Sequence, residues 1–370
     1  MEDLSKISVV LPSLDPDDKL ITVIDGLLSV GFTDIILIND GSKPENLHYF
    51  EEADRHPEVH LLHHPVNRGK GAALKTAFRY YLDNRPDSLG VVTVDGDNQH
   101  HPEDTKNCAL HMAEHNKLVL GVRDFSLPHV PTRSRLGNRI TSFVFKLFVG
   151  MTISDTQTGL RALPTADVKT LIEVYGDRFE YETNMLLAMK EFDIPFDEVK
   201  IRTVYIEENK SSHFHAVKDS WRIYKLILAH FFKYTLSAIV SAVVDVGLFT
   251  LLNALLHGIL RDPLLNAACV GGARVVSSIL NFFMNHRLVF QSQVPTGKAL
   301  LRYYALAIPM LVMQFLLTEG VYRLFHIAES QTLLRGLLYA VVMGVLYIVS
   351  FTVQQRWVFH QSKKTSKDKE

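Results

Sequence analysis

Val91-Val92-Thr93-Val94-Asp95-Gly96-Asp97-Asn98-Gln99-His100 decides how the first half of the chain is read. Four β-formers stop abruptly in two carboxylates spaced i, i+2, with a glycine between them. A buried strand ending in this way sets two oxygen ligands at the carboxyl edge of a sheet, where open α/β sheets bind ligands. Oxygen-only ligands suit Mg2+ or Mn2+ better than zinc, and an ion there would most often neutralise a diphosphate. Asp-Gly-Asp alone is also turn composition. The preceding strand and the helix start at Pro102-Glu103 favour the metal reading.

Outward from this stretch, β-rich runs at 7–11, 34–38, 59–62, 89–94 and 118–120 alternate with helical stretches such as 71–83 and 102–116. That alternation predicts a mostly parallel sheet covered on both faces. The 370 residues leave room for two domains or more. A formal net charge of −1 gives no reason to expect nucleic acid. Cys108 and Cys269 lie far apart without ligand spacing and read as plain buried thiols. Residues 1–6 are polar and lack the pattern of a signal peptide, so the first domain is expected in the cytoplasm.

After Phe231 the composition changes. Residues 234–260 carry one formal charge, Asp245; 263–286 carry Arg274; 303–322 carry Glu319; 336–355 carry none. Spanning the hydrocarbon takes about 20 apolar residues, so four transmembrane helices are expected. Basic residues orient them: Arg287, Lys298 and Arg302 lie between the second and third, and Arg356, Lys363, Lys364, Lys367 and Lys369 follow the fourth. Both chain ends are then cytoplasmic. His286-Arg287-Leu288-Val289-Phe290 returns 69 residues later as Gln355-Arg356-Trp357-Val358-Phe359, which reads as a parallel duplication of a helical hairpin. Asp245 and Arg274 fall mid-span, where charges either pair structurally or line a pathway. Residues 216–230 mix apolar and basic side chains, as a helix on the cytoplasmic lipid surface or a plain linker would.

Further strings could carry chemistry. Asn39-Asp40-Gly41-Ser42 ends a strand in a carboxylate, which either binds a base or ribose or caps a loop. Asn67-Arg68-Gly69-Lys70-Gly71 opens a helix, where glycines admit a close ligand and the N-terminus favours anions. Ser154-Asp155-Thr156-Gln157-Thr158-Gly159-Leu160-Arg161 is dense in donors and acceptors. Arg123, Arg133 and Arg135 either clamp a phosphate or coat a solvated face. The pairs His63-His64 and His100-His101 lack helical ligand spacing and are expected at the surface.

Taken in order, these strings resemble the family 2 glycosyltransferases of GT-A fold, in the polyprenyl-phosphate branch typified by dolichyl-phosphate mannose synthase and bactoprenol glucosyltransferase. The resemblance covers roughly residues 5–225. The membrane repeat, with Asn281-Phe282, Asn285, Arg287 and Val289-Phe290, resembles the GtrA-like domain. The first strand departs from the family, running Pro12-Ser13-Leu14-Asp15-Pro16-Asp17, so either Asp15 or Asp17 supplies the nucleotide-contacting acid. Asn39 stands where an Asp is common. Gln354-Gln355-Arg356-Trp357 has the wrong spacing for the string of processive synthases, so chain polymerisation is not expected.

The resemblance implies a GT-A domain over 1–215, an interface helix over 216–230, a four-helix membrane domain over 231–360 and a basic cytoplasmic tail over 361–370. It implies inverting, metal-dependent transfer of one hexose from a UDP- or GDP-sugar to a polyprenyl phosphate, by a multi-pass protein of the plasma membrane if the source is bacterial. A homo-oligomer is compatible with it. Asp95, Asp97 and Gln99 would hold Mg2+ or Mn2+. Pro12, Asp15, Asp40, Asn67, Gly69, Lys70, Gly71, Asp95, Gly96, Gln157 and Arg161 would hold the donor. Arg123, Arg133, Ser134 and Arg135 would align the acceptor phosphate. Asp95, Asp97, Arg133, Arg135 and Asp155 would carry catalysis, and Ser212-His213 would close over the diphosphate. Two competing functions remain: transfer to another membrane or wall-polymer acceptor, and a non-catalytic flippase or scaffold.

Overall fold

Uninterrupted apolar strands need cover on both faces, and the first unit of the molecule, residues 1–227, supplies it. The computed structural model describes residues 4–128, 130–204, 225, 228–257, 259–260, 264–328 and 331–360, without the side chains of Arg133 and His230. The expectations for Ser212-His213, for the helix at 216–230 and for the tail at 361–370 fall wholly or mostly outside the described residues.

Seven strands form one sheet: β1 (Ile7–Ser13), β2 (Ile35–Asn39), β3 (Val59–His63), β4 (Gly90–Thr93), β5 (Leu118–Arg123), β6 (Arg161–Pro164) and β7 (Phe196–Ile201). Their order is β3-β2-β1-β4-β6-β5-β7. All pair parallel except β6, which runs antiparallel between β4 and β5. Successive side chains feed opposite faces. Val10, Ile36, Ile38 and Val91 join one core, whereas Val9, Leu11, Ile35, Leu37 and Val92 join the other. The first core is closed by α3 (Lys70–Asn84), α6 (Thr165–Leu171) and α7 (Glu180–Glu191). The second is closed by α1 (Lys19–Ser29), α2 (Leu47–Ala53) and α4 (Pro102–His115). One further helix, α5 (Thr132–Val144), precedes a π-helical turn at Phe145–Val149.

β6 and β7 carry no strong signal in the sequence. β6 is four residues long and contains Arg161 and Pro164. β7 reads Phe-Asp-Glu-Val-Lys-Ile and forms the sheet's edge, so it alternates in exposure instead of presenting an apolar run. β1 has β2 on one side and β4 on the other, so the strand order reverses there. The resulting crevice opens at the ends of β1 and β4.

The second unit, residues 228–370, is helical. It contains α8 (Ala229–Leu256), α9 (Leu264–Met284), α10 (Thr296–Leu324) and α11 (Thr332–Val353). Among the described residues, four helices are long and apolar enough to cross a bilayer: Phe231–Leu256, Leu264–Val289, Thr296–Leu324 and Thr332–Val358. Their exposed residues include Leu236, Val243, Leu311 and Val341, a surface suited to lipid.

The two hairpins meet at equivalent positions 69 residues apart. Each second helix ends in a π-helical turn, at Asn285–Val289 and Gln354–Val358. Asn285 Nδ2 donates to Gln354 Oε1 (3.1 Å), and Phe290 stacks on Phe359 with centroids 5.1 Å apart. Asn285 also accepts from Ser237 and donates to Asn281 (3.0 Å). Gln354 donates to Tyr234 and Ser350, each at 3.1 Å. The buried amides are thereby satisfied by one another across the pseudo-symmetric junction. Asp245 and Arg274 pair at 3.3 Å, and Ser277 donates to Asp245 at 2.7 Å.

If this junction couples the hairpins, Asn285→Ala lowers the thermal midpoint of the full chain in detergent by a loss of about 1–2 kcal/mol. The Asn285→Ala, Gln354→Ala pair then costs less than the sum of the single changes. Strictly additive losses would show that the two amides act independently.

Candidate functional site

The crevice is built from tight backbone contacts before any charge enters it. Asn39 and Gly41 end β2; a Cβ on Gly41 would lie 2.2 Å from the Val66 backbone. This brings Asp40 under the loop leading to α3. Asp40 accepts from the backbone N–H groups of Arg68 (3.0 Å) and Gly69 (2.7 Å) and from His64 Nδ1 (2.6 Å). The other ring nitrogen of His64 meets the Thr76 hydroxyl at 2.9 Å. Asp40 is buried and works as the loop cap that fixes Gly69 and the start of α3. Gly69 adopts φ 102°, and a Cβ there would lie 2.4 Å from the Asp177 carbonyl oxygen. A Cβ on Gly71 would lie 2.6 Å from Tyr181 Cβ. The glycines thus let α3 dock on the start of α7.

Lys70, between those glycines, points its ammonium to two carboxylates: Asp95 Oδ1 at 2.7 Å and Glu182 Oε1 at 3.0 Å. Burial works against the Lys70 charge, yet Asp95 and Glu182 outweigh it and hold the ammonium well above its ordinary range. Burial would lift the Asp95 carboxyl, but the Lys70 charge brings it down to about 2. Asp97 goes the other way: burial, then the neighbouring Asp95 charge, push it up to about 6. Two crowded carboxylates of opposite tendency are what a polyvalent cation relieves.

The loop holding them is fixed from three sides. Asn98 takes φ 60°, and Asp97 Oδ1 accepts from the Gln99 N–H (3.1 Å). The Asp95 N–H donates to His100 Nδ1 (3.3 Å). Burial lowers His100 to about 4, so the ring is neutral near pH 7 and can accept there. At the end of β4 the Thr93 hydroxyl donates to the carbonyl of Gly159, just ahead of β6 (2.7 Å), and a Cβ on Gly159 would lie 2.2 Å from Asp95 Oδ2. Glycine at 159 is therefore a requirement of Asp95 itself. Gly96 sits beside Ser13, whose Oγ would be 3.5 Å from a Cβ there.

The dense string at 154–161 divides its labour. Asp155 is fully buried and receives Arg123 in a fork, Nε at 2.7 Å and Nη2 at 3.1 Å. Its Oδ1 also accepts from the Gln157 N–H (3.1 Å). Arg161 is buried, with Nε donating to the Thr158 carbonyl (3.1 Å) and Nη1 to the Glu182 carbonyl (2.8 Å). Arg135 donates to the Phe125 and Leu127 carbonyls, both at 2.9 Å, and ties α5 to that loop. Ser134 is half-buried on the same helix. The Arg133 side chain lies outside the description. A cavity of about 340 Å3 beside Arg123 is lined by Phe125, Asn138, Ser154, Glu198 and Lys200, and Asn138 Oδ1 is buried without a partner.

The expectation for the histidine pairs needs correction: His64 and His100 are buried positioning groups and not surface residues, because each satisfies a polar group of a functional loop. Arg161 lies inside the fold, donating to two backbone carbonyls while its Nη2 is buried without a partner. Arg123 is forked onto Asp155 and lines the adjoining cavity, and Arg135 donates to two carbonyls. Asp15, at φ 48°, receives the Lys43 N–H (2.8 Å) and bonds Ser42 through its own N–H (2.8 Å), whereas Asp17 pairs with Lys19. Pro12 is half-buried at the end of β1, and Asn67 is exposed on the loop before α3. The structure thus gathers Asp40, Gly69, Lys70, Gly71, Asp95, Gly96, Asp97, Gln99 and the Asp155–Arg161 string at one sheet edge. Glu182 joins them unannounced, since a carboxylate in the first turn of a helix reads as ordinary dipole compensation.

Residues 8–165 match the family model of glycosyl transferase family 2, and residues 233–359 match that of the GtrA/DPMS transmembrane domain. An uncharacterized protein of Methanocaldococcus jannaschii is 28% identical over 232 residues, covering 61% of this chain and 93% of that protein. The UDP-N-acetylglucosamine–dolichyl-phosphate N-acetylglucosaminyltransferase of Methanococcus voltae is 26% identical, over 54% of this chain and 86% of its own length. The undecaprenyl-phosphate 4-deoxy-4-formamido-L-arabinose transferase of Yersinia pestis is 29% identical, over 32% of this chain and 37% of its own. Among solved structures, a glucosyl-3-phosphoglycerate synthase of Mycobacterium tuberculosis superposes with a TM-score of 0.46 at 16% identity, covering 61% of this chain and 79% of that one.

Removing the His64 ring deprives the buried Asp40 carboxylate of one of three donors. His64→Ala is expected to lower the stability of the first unit by about 1–3 kcal/mol, read as a fall in its urea midpoint. An unchanged midpoint would show that the two backbone donors suffice.

Proposed function

We propose that this chain, which matches the family 2 glycosyl transferase model over residues 8–165 and the GtrA/DPMS transmembrane model over 233–359, is a membrane-bound glycosyltransferase that transfers one hexose from a UDP- or GDP-sugar to a polyprenyl phosphate with inversion. The observation that carries the donor half is the Asp95/Asp97 pair at the end of β4, beside Lys70 at the start of α3. The acceptor class rests on the relatives that act on dolichyl phosphate and undecaprenyl phosphate.

The residues present fit a divalent ion. Asp95, Asp97 and Gln99 offer oxygen donors on one loop, and the Asp97 carboxyl is raised by burial and then by the neighbouring Asp95 charge. Those three would hold Mg2+ or Mn2+, which when bound supplies positive charge to the departing diphosphate. Lys70 and the N-terminus of α3 add to that charge from the other side. Asp40 serves the donor indirectly, by fixing the Gly69 turn that admits it.

Inversion requires an acceptor oxygen to attack the anomeric carbon as its bond to the diphosphate breaks. A phosphate monoester has a second pKa of about 6 and arrives already charged, so no general base is needed. This agrees with Asp155, whose oxygens are committed to Arg123 and the Gln157 N–H. Arg123 and Lys200 bring positive charge to the adjoining cavity, which Asp124 and Glu198 also line. The basic loops support a cytoplasmic catalytic domain and cytoplasmic chain ends.

Asp97→Ala is expected to reduce transfer by about 10²–10³-fold, and EDTA to abolish it until Mn2+ or Mg2+ is restored. Full activity of that variant in EDTA would overturn the metal assignment. Metal must displace a proton from Asp97 below its pKa of about 6. Mn2+ affinity should therefore rise with pH up to about 6 and level off above it, as titrated by electron paramagnetic resonance. Affinity independent of pH between 5 and 7 would contradict this. Radiolabelled donor offered polyprenyl phosphate and diacylglycerol should label the former alone; labelled diacylglycerol would replace the acceptor class.

A further inference from the structure

The Lys70 ammonium occupies a contradictory position. It lies 2.7 Å from Asp95 Oδ1, a carboxylate proposed to hold a divalent cation. A metal approaching Asp95 meets a cation already bonded there, in a crevice where charge repulsion is poorly screened. The same lysine stands at the start of α3, just after the Gly69 turn, where a diphosphate would find backbone N–H groups and a positive end. Lys70 can neutralise the carboxylate or the diphosphate, and the two uses compete.

Glu182 decides where the ammonium can go. It contacts Lys70 at 3.0 Å, and its backbone is held in place. Its carbonyl accepts from the buried Arg161 (2.8 Å), and the preceding turn is docked on α3 through the Asp177 carbonyl, which accepts from the Ala72 N–H (2.9 Å). The close approach of Gly71 to Tyr181 leaves no slack between the two helices. Glu182 thus holds Lys70 in the crevice whether or not the lysine is bonded to Asp95.

We propose that Lys70, positioned by Glu182, makes metal binding conditional on the donor: it competes with the divalent ion for Asp95 until a nucleoside diphosphate draws it away. The inference rests on the metal–diphosphate reading of the site and deepens it. Binding is then ordered by charge. The ion alone binds weakly, the ion with nucleotide binds tightly, and the two affinities are coupled. Glu182 acts through Lys70 and has no contact with the reacting atoms.

The test is Mn2+ binding to the full chain in detergent, followed by electron paramagnetic resonance without nucleotide, with UDP and with GDP. In the wild type, one nucleotide should tighten Mn2+ binding by about tenfold or more. Lys70→Met should bind Mn2+ alone about tenfold more tightly than the wild type, lose most of the coupling and raise the KM for donor. Glu182→Gln should move the other way, binding Mn2+ alone more weakly, because the lysine then has Asp95 as its only carboxylate. Lys70→Arg should keep the wild-type order. A merely structural role would weaken binding in every variant alike. Mn2+ binding by Lys70→Met that is no tighter than wild type, with nucleotide-dependent binding in the wild type intact, overturns the competition and leaves the metal site standing. Absence of Mn2+ binding by all proteins, with either nucleotide, overturns the metal reading and this inference with it.

Discussion

Charge held in a low-dielectric crevice is the constraint on which the first unit turns. Lys70 lies against Asp95 and offsets the burial that would lift its carboxyl, and Asp95 and Glu182 in turn favour the Lys70 charge. Such a triad tolerates little displacement, since each half-buried charge depends on where its partner sits. Much of the local architecture can be traced to that intolerance. Gly159 is glycine because Asp95 Oδ2 occupies the space of a Cβ, and Gly71 is glycine because α7 must bring Glu182 within reach of α3. Asp40 and His64 hold the loop that starts α3, and neutral His100 holds the backbone of Asp95.

In the membrane unit the corresponding constraint is hydrogen bonding. A bilayer offers no water to a buried amide, so each must find a partner within the bundle. Duplication supplies one cheaply. Residues 69 apart in sequence, Asn285 and Gln354, face each other and bond, while Phe290 stacks on Phe359. The π-helical turns that end both hairpins carry Asn285 and Gln354 at their first position, each accepting from the N–H five residues on. The repeat visible in the sequence therefore has a physical use: it delivers two amides to one junction.

What could be read from the chain alone follows burial. Strands buried on both faces announce themselves as apolar runs, and β1, β2 and β4 were legible for that reason. β7 was not, because an edge strand shows water one side and carries three charged residues in six. The metal motif and the glycine turn were legible as strings, since their backbone conformations demand particular residues. Partnerships were not. Nothing in Glu180-Tyr181-Glu182 marks its third residue as the counter-ion of a lysine 112 positions earlier. The histidine pairs read as surface because adjacent residues lack helical ligand spacing, whereas His64 and His100 each serve a loop from within the fold. Arg123 and Arg161 read as free cations because their carboxylate and carbonyl partners are assembled only by folding.

The commitment of Asp155 to Arg123 bears on what kind of nucleophile this crevice can serve. A sugar hydroxyl needs a base that can accept its proton, and a carboxylate already forked to a guanidinium is a poor one. A phosphate monoester needs no such base, but it brings negative charge toward a diphosphate that is itself acquiring charge. Repulsion between the two must be offset by cations on both sides of the reacting carbon. Lys70, with the ion that Asp95 and Asp97 would hold, offers positive charge at the leaving side, whereas at the adjoining cavity Arg123 and Lys200 stand beside Asp124 and Glu198. What favours an acceptor that arrives ionised is therefore the commitment of Asp155 to Arg123, which leaves that carboxylate a poor base for a hydroxyl, and not an excess of cations.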